Sequence, residues 1–443
     1  MTGCVLCNGV RVPRSRRTEV KESASARNVT GHRSNESSAS ETPAWRDNTG
    51  ARSPLRVSRP ALACVGMIAI VRVKDAMPKE AHLNFPALKR QHTTLRHVSI
   101  AALLSFSVPA VSAPVTTIDE FFQPDGMTAT AENYPTLETS RQLLIAQDRA
   151  AVNEIAHNRK LTPTDDQPVV RMNRDTYYGF AVVDVSAGAS ITIPPIPEGK
   201  YVSVQPVTMD HRIQPMSYGS GTFELATHYG SHMYLVIRLD STLSEAEANA
   251  IQDGMVINAK SAQPFSAEPV NRESFEAVEQ ALRAKLPDLV KTFGPDMVNG
   301  MFTAPTDDSR GMYDFDKYTV GAAVGWGGAQ LADNLYESSP NYPAEGCYSA
   351  TFDDPDNGAF WSFTVYDQNG FMFDDVAHMS SDIATANDDG TYTVSMGCGD
   401  DALNNLPISN DTGVFNFIVR HYIPSERVKF GGYRLMPQMQ KVD

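Results

Sequence analysis

Two stretches of this chain alternate apolar and polar residues, the mark of half-buried strands, and around them apolar residues recur at helical spacing. In the first stretch, residues 180–185, 190–194, 201–207, 222–225 and 232–238 are short, β-branched or aromatic, and divided by Gly, Pro or Asp turns. In the second, residues 347–352, 360–366, 391–396 and 415–422 repeat the pattern, with Asp389-Gly390 and Asn369-Gly370 as turn signals. Strands at this spacing, without a helix after each one, predict antiparallel sandwiches rather than a βαβ sheet. Between about Pro114 and Lys160, Leu144, Ala151, Val152 and Ile155 fall on one helical stripe, with Thr139 or Ser140 as its cap, until Pro163 breaks it. Ser244 and Glu247 have capping-box form and open a helix to about Ile257, while Phe275, Val278, Leu282 and Leu286 mark another. The expectation is a mainly β fold with α additions: two β-sandwich modules braced by helices. Its divisions are a helical segment at 114–165, a β-sandwich at 166–240, a helical linker region at 241–317 and a second β-sandwich at 318–443.

Charge changes the picture at the N-terminus. About 17 Lys and Arg face about 7 Asp and Glu before Pro114, leaving about 21 against about 45 after it. The acidic part repels phosphate backbones and carries no basic stripe, so no nucleic-acid partner is expected. Lys89, Arg90 and Arg96 precede an uncharged apolar run at 98–108 and small residues ending at Ala110 or Ala113, the layout of a secretory signal at 77–113. The run is short for a bilayer span, so no permanent membrane anchor follows signal cleavage and the location is periplasmic or secreted. Residues 1–76, polar and aperiodic, read as a disordered extension or a start codon placed too early, with Met77 the alternative start. Cys4 and Cys7 form a single CxxC with no second half, a weak metal signal. After export Cys347 and Cys398 remain, an even pair suited to a disulfide in an oxidising compartment or to two separately buried thiols.

Several motifs carry a resemblance. Asn173-Arg174-Asp175-Thr176 leads into Val182-Val183-Asp184-Val185-Ser186, and Gly199, Tyr201 and Gln205 share one later strand. Farther on stand Phe360-Trp361-Ser362, Thr364-Val365-Tyr366-Asp367, then Asp389-Gly390, Leu406-Pro407 and Arg420-His421-Tyr422-Ile423-Pro424. From about Asn133 to Pro437 the chain resembles the bacterial proteins that pair domain of unknown function 1254 with domain of unknown function 1214. That resemblance implies two β-sandwiches, the C-terminal one jelly-roll-like, and no assigned biochemical role. Many relatives have Asn-Trp-Leu-Pro where this chain has Asn404-Asn405-Leu406-Pro407, so one stacking aromatic is replaced.

Candidate chemistry is sparse. Asn173, Arg174 and Asp175 place an amide, a five-donor fork and a carboxylate together, suited to holding a carboxylate or sugar hydroxyls; the same residues equally suit a buried turn pinned to the next sheet. Asp210 and His211 form a candidate acid/base pair in a loop, and Asp175 or Asp210 with His211 is the catalytic set of a cofactor-free hydrolase or lyase. His228 and His232 have zinc-type spacing, but Gly230 breaks the helix such a site needs, and no metal or cofactor is expected. Asp353, Asp354 and Asp356 faintly resemble a calcium loop without its closing Glu. Trp326, flanked by glycines, is the candidate stacking platform, with Tyr366 beside it, while Trp361 reads as core. Gly325-Trp326-Gly327-Gly328 fits neither a P-loop nor a dinucleotide fingerprint, and there is no nucleophile elbow. The function these residues imply is binding of a small polar ligand or glycan at a cleft between the modules, with Asn173, Arg174, Trp326 and Tyr366 as contacts. The enzyme reading and an envelope-interaction scaffold are alternatives, and nothing in the sequence sets an oligomeric state.

Overall fold

The computed structural model describes residues 113–167 and 170–442. The stretches read as an N-terminal extension and as a secretory signal, and the Cys4 and Cys7 pair, lie outside them. In chain order the first part contains β1 (Phe122–Met127), α1 (Tyr134–Arg149), β2 (Ile155–His157), β3 (Thr176–Asp184), β4 (Ala189–Ile193), β5 (Val202–Thr208), β6 (Ser217–Tyr218), β7 (Gly221–Leu225), β8 (His232–Asp240), α2 (Glu245–Asp253) and β9 (Val256–Ala259). Helices α3 (Arg272–Ala284), α4 (Leu286–Phe293), α5 (Asp307–Arg310) and α6 (Phe315–Gly325) follow. The second part contains β10 (Asn334–Ser338), β11 (Tyr342–Pro343), β12 (Cys347–Phe352), β13 (Trp361–Asp367), β14 (His378–Ser380), β15 (Tyr392–Met396), β16 (Asn405–Leu406), β17 (Val414–Tyr422) and β18 (Gln440–Val442).

The first sandwich stacks a five-stranded sheet, β2-β3-β8-β5-β6, on a three-stranded one, β7-β4-β9. Strand periodicity explains the division of side chains. Tyr177, Val183, Leu235 and Ile237 point into the sandwich core with Ile191, whereas Val182, Tyr234, Val236 and Val207 point the other way, into a layer of helices. The large sheet is therefore covered on both faces, and β8 is buried along its whole length.

Several boundaries differ from the sequence reading. The 114–165 segment is not helical throughout: α1 is preceded by β1, and Ile155, expected on the helical stripe, lies on β2. Asn133 holds the N-cap position, while Thr139 and Ser140 sit inside α1 with their hydroxyls donating to the carbonyls of Pro135 and Thr136. The capping box at Ser244 and Glu247 forms as expected, but Gly254 ends α2 early and β9 follows. The first sandwich thus extends past 166–240 at both ends, to β2 and β9. Residues 318–325 are helical, because α6 is apolar on nearly all sides and fills the helical layer; the second sandwich begins at β10.

That sandwich stacks β10-β17-β13-β14, with β11 also on β17, over β16-β15-β12-β18; every pair is antiparallel except β15 with β16. Trp361, Phe363, Val365, Phe415, Phe417 and Val419 form its core with Tyr348 and Phe352. Burying each such Phe contributes roughly 1.5–3 kcal/mol. A disulfide joins Cys347 at the start of β12 to Cys398 just past β15. The outer strand β12 alternates between more and less covered positions, but β13 and β17 are buried on both faces. What covers their second face is the first sandwich, and that seam holds most of the polar hallmarks.

Candidate functional site

The seam is built from the turn that feeds β3. Asn173 Oδ1 accepts the Asp175 amide at 3.1 Å, closing an Asx turn, and its Nδ2 donates to Tyr178 Oη at 3.0 Å. This turn aims Asp175 across the seam. Asp175 Oδ2 accepts from Ser362 Oγ at 2.7 Å and Tyr422 Oη at 2.9 Å, with Arg420 Nη1 at 3.9 Å. Ser362 and Tyr422 stand on β13 and β17, at the alternate positions that point away from the second core. Arg420 donates to Thr364 Oγ1, Tyr366 Oη and the Arg171 carbonyl at 2.8, 2.8 and 3.0 Å. Tyr366 in turn donates to the Met172 carbonyl at 2.7 Å. Burial works against the Arg420 charge, but Tyr366 and Asp175 more than offset it, and its pKa rises. Burial likewise raises Tyr366 and Tyr422, which stay neutral donors.

Arg174 does not join this network. It lies partly exposed, donating to the Thr162 carbonyl at 2.8 Å, with Asp375 at 3.7 Å. Around it, Asp175 Oδ1, Thr176 Oγ1, Thr162 Oγ1 and His378 Nδ1 are buried without a hydrogen-bond partner among the described residues. Burial lowers the His378 pKa, which Asp175 partly restores.

The seam's other half is centred on β8 of the first sandwich. Arg238 stands opposite Tyr178 in the β3–β8 register. Its Nη1 donates to Gln205 Oε1 at 2.8 Å. Gln205 is locked in that orientation because its Nε2 donates to the carbonyls of Gly327 and Gly328 at 2.8 and 3.2 Å. Tyr201, whose phenol burial pushes up to about 12, packs edge-on to Phe360 and Tyr422. Phe360 and Tyr422 stack at 4.1 Å. Around Tyr201 the modules therefore meet through packed rings. An open depression of about 320 Å³ lies at the edge of the first sandwich, lined by Ile155, His157, Arg159, Gln252 and Val256.

The glycine-flanked tryptophan is a positioning device. Gly327, at φ +75°, offers its amide to His211 Nε2 at 3.1 Å and its carbonyl to Gln205. A Cβ on Gly328 would fall 2.2 Å from the Phe302 ring. Trp326 is no free platform. One face stacks on His211 at 5.7 Å, Tyr234 meets it edge-on at 4.9 Å, and its Nε1 donates to Thr139 Oγ1 at 2.9 Å. It packs in the helical layer of the first module, away from Tyr366.

Asp210 and His211 do not pair. His211, in the left-handed region at φ +57°, turns inward and is fully buried, which pushes its pKa down to about 3. Asp210 instead bonds His228 Nε2 at 2.9 Å, while Thr208 Oγ1 donates to its other oxygen at 2.6 Å and Gln214 meets His228 Nδ1 at 3.1 Å. This pair is part-exposed, with side chains at 25% and 35%. His232 bonds the Gln263 carbonyl and Ser231, so the two histidines do not converge. Among the described residues no group of His, Cys, Asp and Glu gathers in a metal-binding arrangement. Near the acidic turn, Arg427 lies within 3.8 Å of Asp353 and 3.6 Å of Asp356.

Sequence reasoning singled out Asn173, Asp175 and Tyr366 but missed Arg238, His378 and the role of Gln205. One signal was legible: Arg238 is the lone charge before Asp240 in a strand otherwise apolar on both faces.

Comparison with known proteins follows the same division. A model described as Protein of unknown function (DUF1254) matches residues 152–257, a span that includes β2 and all but the last two residues of β9. One described as Protein of unknown function (DUF1214) matches residues 337–426. Among solved structures, the VPA0106 protein from Vibrio parahaemolyticus is similar at a TM-score of 0.53 and 17% identity, covering 71% of this chain and 98% of that one. An uncharacterized protein from Burkholderia cenocepacia aligns at a TM-score of 0.42 and 13% identity over 70% of this chain and 88% of its own. The first likeness shows the fold alone. No curated protein matches.

Proposed function

We propose, from the premise that this chain carries a DUF1254 segment followed by a DUF1214 segment, that it is an exported protein binding a small polar ligand in the seam between them. The carrying observation is the set of buried, unpartnered polar atoms around Arg174: Asp175 Oδ1, Thr176 Oγ1, Thr162 Oγ1 and His378 Nδ1. Buried polar groups are paired in native proteins, and leaving one unpaired costs about 1–3 kcal/mol, so a cluster of them supports an outside partner. The packed seam favours a ligand of monosaccharide size or less over a glycan chain. Export to the periplasm or beyond is supported by the apolar run at 98–108 and by the Cys347–Cys398 disulfide, which suits an oxidising compartment.

Arg174 is the residue to test, because it is partly exposed and its loss leaves the Asp175 network standing. A panel of sugars and small metabolites is expected to raise the melting temperature of the intact chain, and Arg174→Ala to abolish the shift. A shift that survives Arg174→Ala removes this reading. No shift with any compound favours the scaffold alternative.

A second reading, a cofactor-free hydrolase or lyase, is supported by one observation: in the part-exposed Asp210–His228 pair a carboxylate backs the Nε2 of a histidine whose Nδ1 meets Gln214, the position a substrate atom would have to take from it. It requires product formation that disappears in His228→Gln while the fold and ligand shift persist.

A further inference from the structure

Three arginines among the described residues are buried, and their surroundings differ. Arg212 bonds Asp308 and two backbone carbonyls. Arg420 makes three hydrogen bonds and faces Asp175. Arg238, 8% exposed, has one neutral partner, Gln205, and no carboxylate within 4.0 Å among the described residues. Burying a charge without a counter-charge is among the most costly arrangements in a protein. The carboxylates in the same layer are committed elsewhere. Asp240 accepts from the Thr242 amide and hydroxyl and from the Tyr201 amide, and Asp333 accepts from Tyr218 Oη at 2.8 Å.

Two phenols beside Arg238 share its condition. Tyr178, whose ring lies 5.8 Å from the Arg238 guanidinium carbon, accepts a bond from Asn173 but donates to no described residue. Tyr336 accepts from the Ala329 amide at 3.3 Å and likewise donates to none. Arg238 feels both phenols electrostatically. Each hydroxyl carries one donor proton and the guanidinium five, so the group as a whole has donors to spare.

From this donor surplus we infer that Arg238, Tyr178 and Tyr336 form an oxyanion seat, which takes the carboxylate or phosphate-type group of the ligand bound in the seam. The inference rests on the seam being a ligand seat and names what that ligand must carry. Gln205, clamped by the Gly327 and Gly328 carbonyls, holds one edge of the guanidinium and leaves the rest of the fork for bidentate contact with two oxygens. A planar carboxylate and a tetrahedral oxyanion satisfy the same donors.

The test is calorimetric titration of the full-length protein, at constant ionic strength, with sodium glucuronate, inorganic phosphate, sodium sulfate and glucose. Saturable binding of at least one anion is expected, weakened tenfold or more in Arg238→Gln and about threefold in Tyr336→Phe. Preference for glucuronate over phosphate and sulfate assigns a carboxylate ligand, and the reverse a tetrahedral one. If Arg238→Gln fails to fold, Tyr336→Phe and Gln205→Leu must each weaken the anion. Anion affinity within twofold of the parent in these variants overturns the inference, and so does absence of anion binding. Glucose binding that is lost in Arg174→Ala, with no anion bound, leaves the seam reading intact and removes only the anion.

Discussion

Arg420 and Arg238 belong to opposite walls of one seam, both less than a tenth exposed, yet one faces a carboxylate and the other does not. Around Arg420 the chain supplies three hydrogen-bond acceptors, Thr364, Tyr366 and the Arg171 carbonyl, and a counter-charge, the nearby Asp175 carboxylate. Around Arg238 the chain supplies one amide oxygen. The contrast separates what hallmark residues do. Asn173, Asp175, Ser362, Tyr366 and Tyr422 rivet two sandwiches together, whereas Gln205 and the Gly327–Gly328 turn orient a charge that the fold itself leaves unmatched.

The largest expected effect breaks the Arg420 half. Asp175→Ala strands Arg420 and removes the acceptor for Ser362 and Tyr422, and Arg420→Met strands Asp175; each is expected to cost about 3–5 kcal/mol in denaturant unfolding. A loss below about 1 kcal/mol in both would mean the seam is not a rivet.

Acid is expected to act on the other half through His211, which supports the Gly327 turn. Its folded pKa of about 3 lies below the ordinary histidine value, so the unfolded chain takes up the proton first. The stability from its neutral form is complete above about pH 6.5 and falls as the pH drops from there toward 3, by roughly 3 kcal/mol at pH 4. His211→Asn, compatible with the positive φ, is expected to flatten that slope in unfolding titrations followed by fluorescence. An unchanged slope would assign the acid sensitivity elsewhere.

A smaller effect sharpens the comparison directly. Arg238→Met removes a charge that no described residue pairs, so in phosphate-free buffer it is expected to change stability by about 1 kcal/mol or less, the loss at Gln205 being offset by the relieved charge. If it destabilises as strongly as Arg420→Met, the two arginines are not different in kind. Smallest of all is His228→Gln: the part-exposed Asp210 pair is expected to contribute within about 0.5 kcal/mol, measured by thermal unfolding. A larger loss would make that loop structural and weaken the acid/base reading.

Much of this was legible along the chain. Alternation marked the strands of both sandwiches, and the Cys347 and Cys398 pair was open to being bonded. The capping box at Ser244 and Glu247 was local and formed as read. Misreadings arose where local pattern was ambiguous: Ile155 fitted a helical stripe yet lies on β2, and Tyr318, read as the return of strands, lies in α6. Trp326 looked open because glycines flank it, yet the helical layer and His211 close over it.

Side-chain periodicity establishes that a face is buried but says nothing of its neighbour, because each residue meets its own strand's spacing first and its tertiary partner only after folding. Hence the apolar core faces of β13 and β17 were written in the residues themselves, and the cover over their second faces was not. That Asp175 meets Ser362, 187 positions away, and that Arg238 meets no carboxylate among the described residues, was settled only when two sandwiches packed face against face.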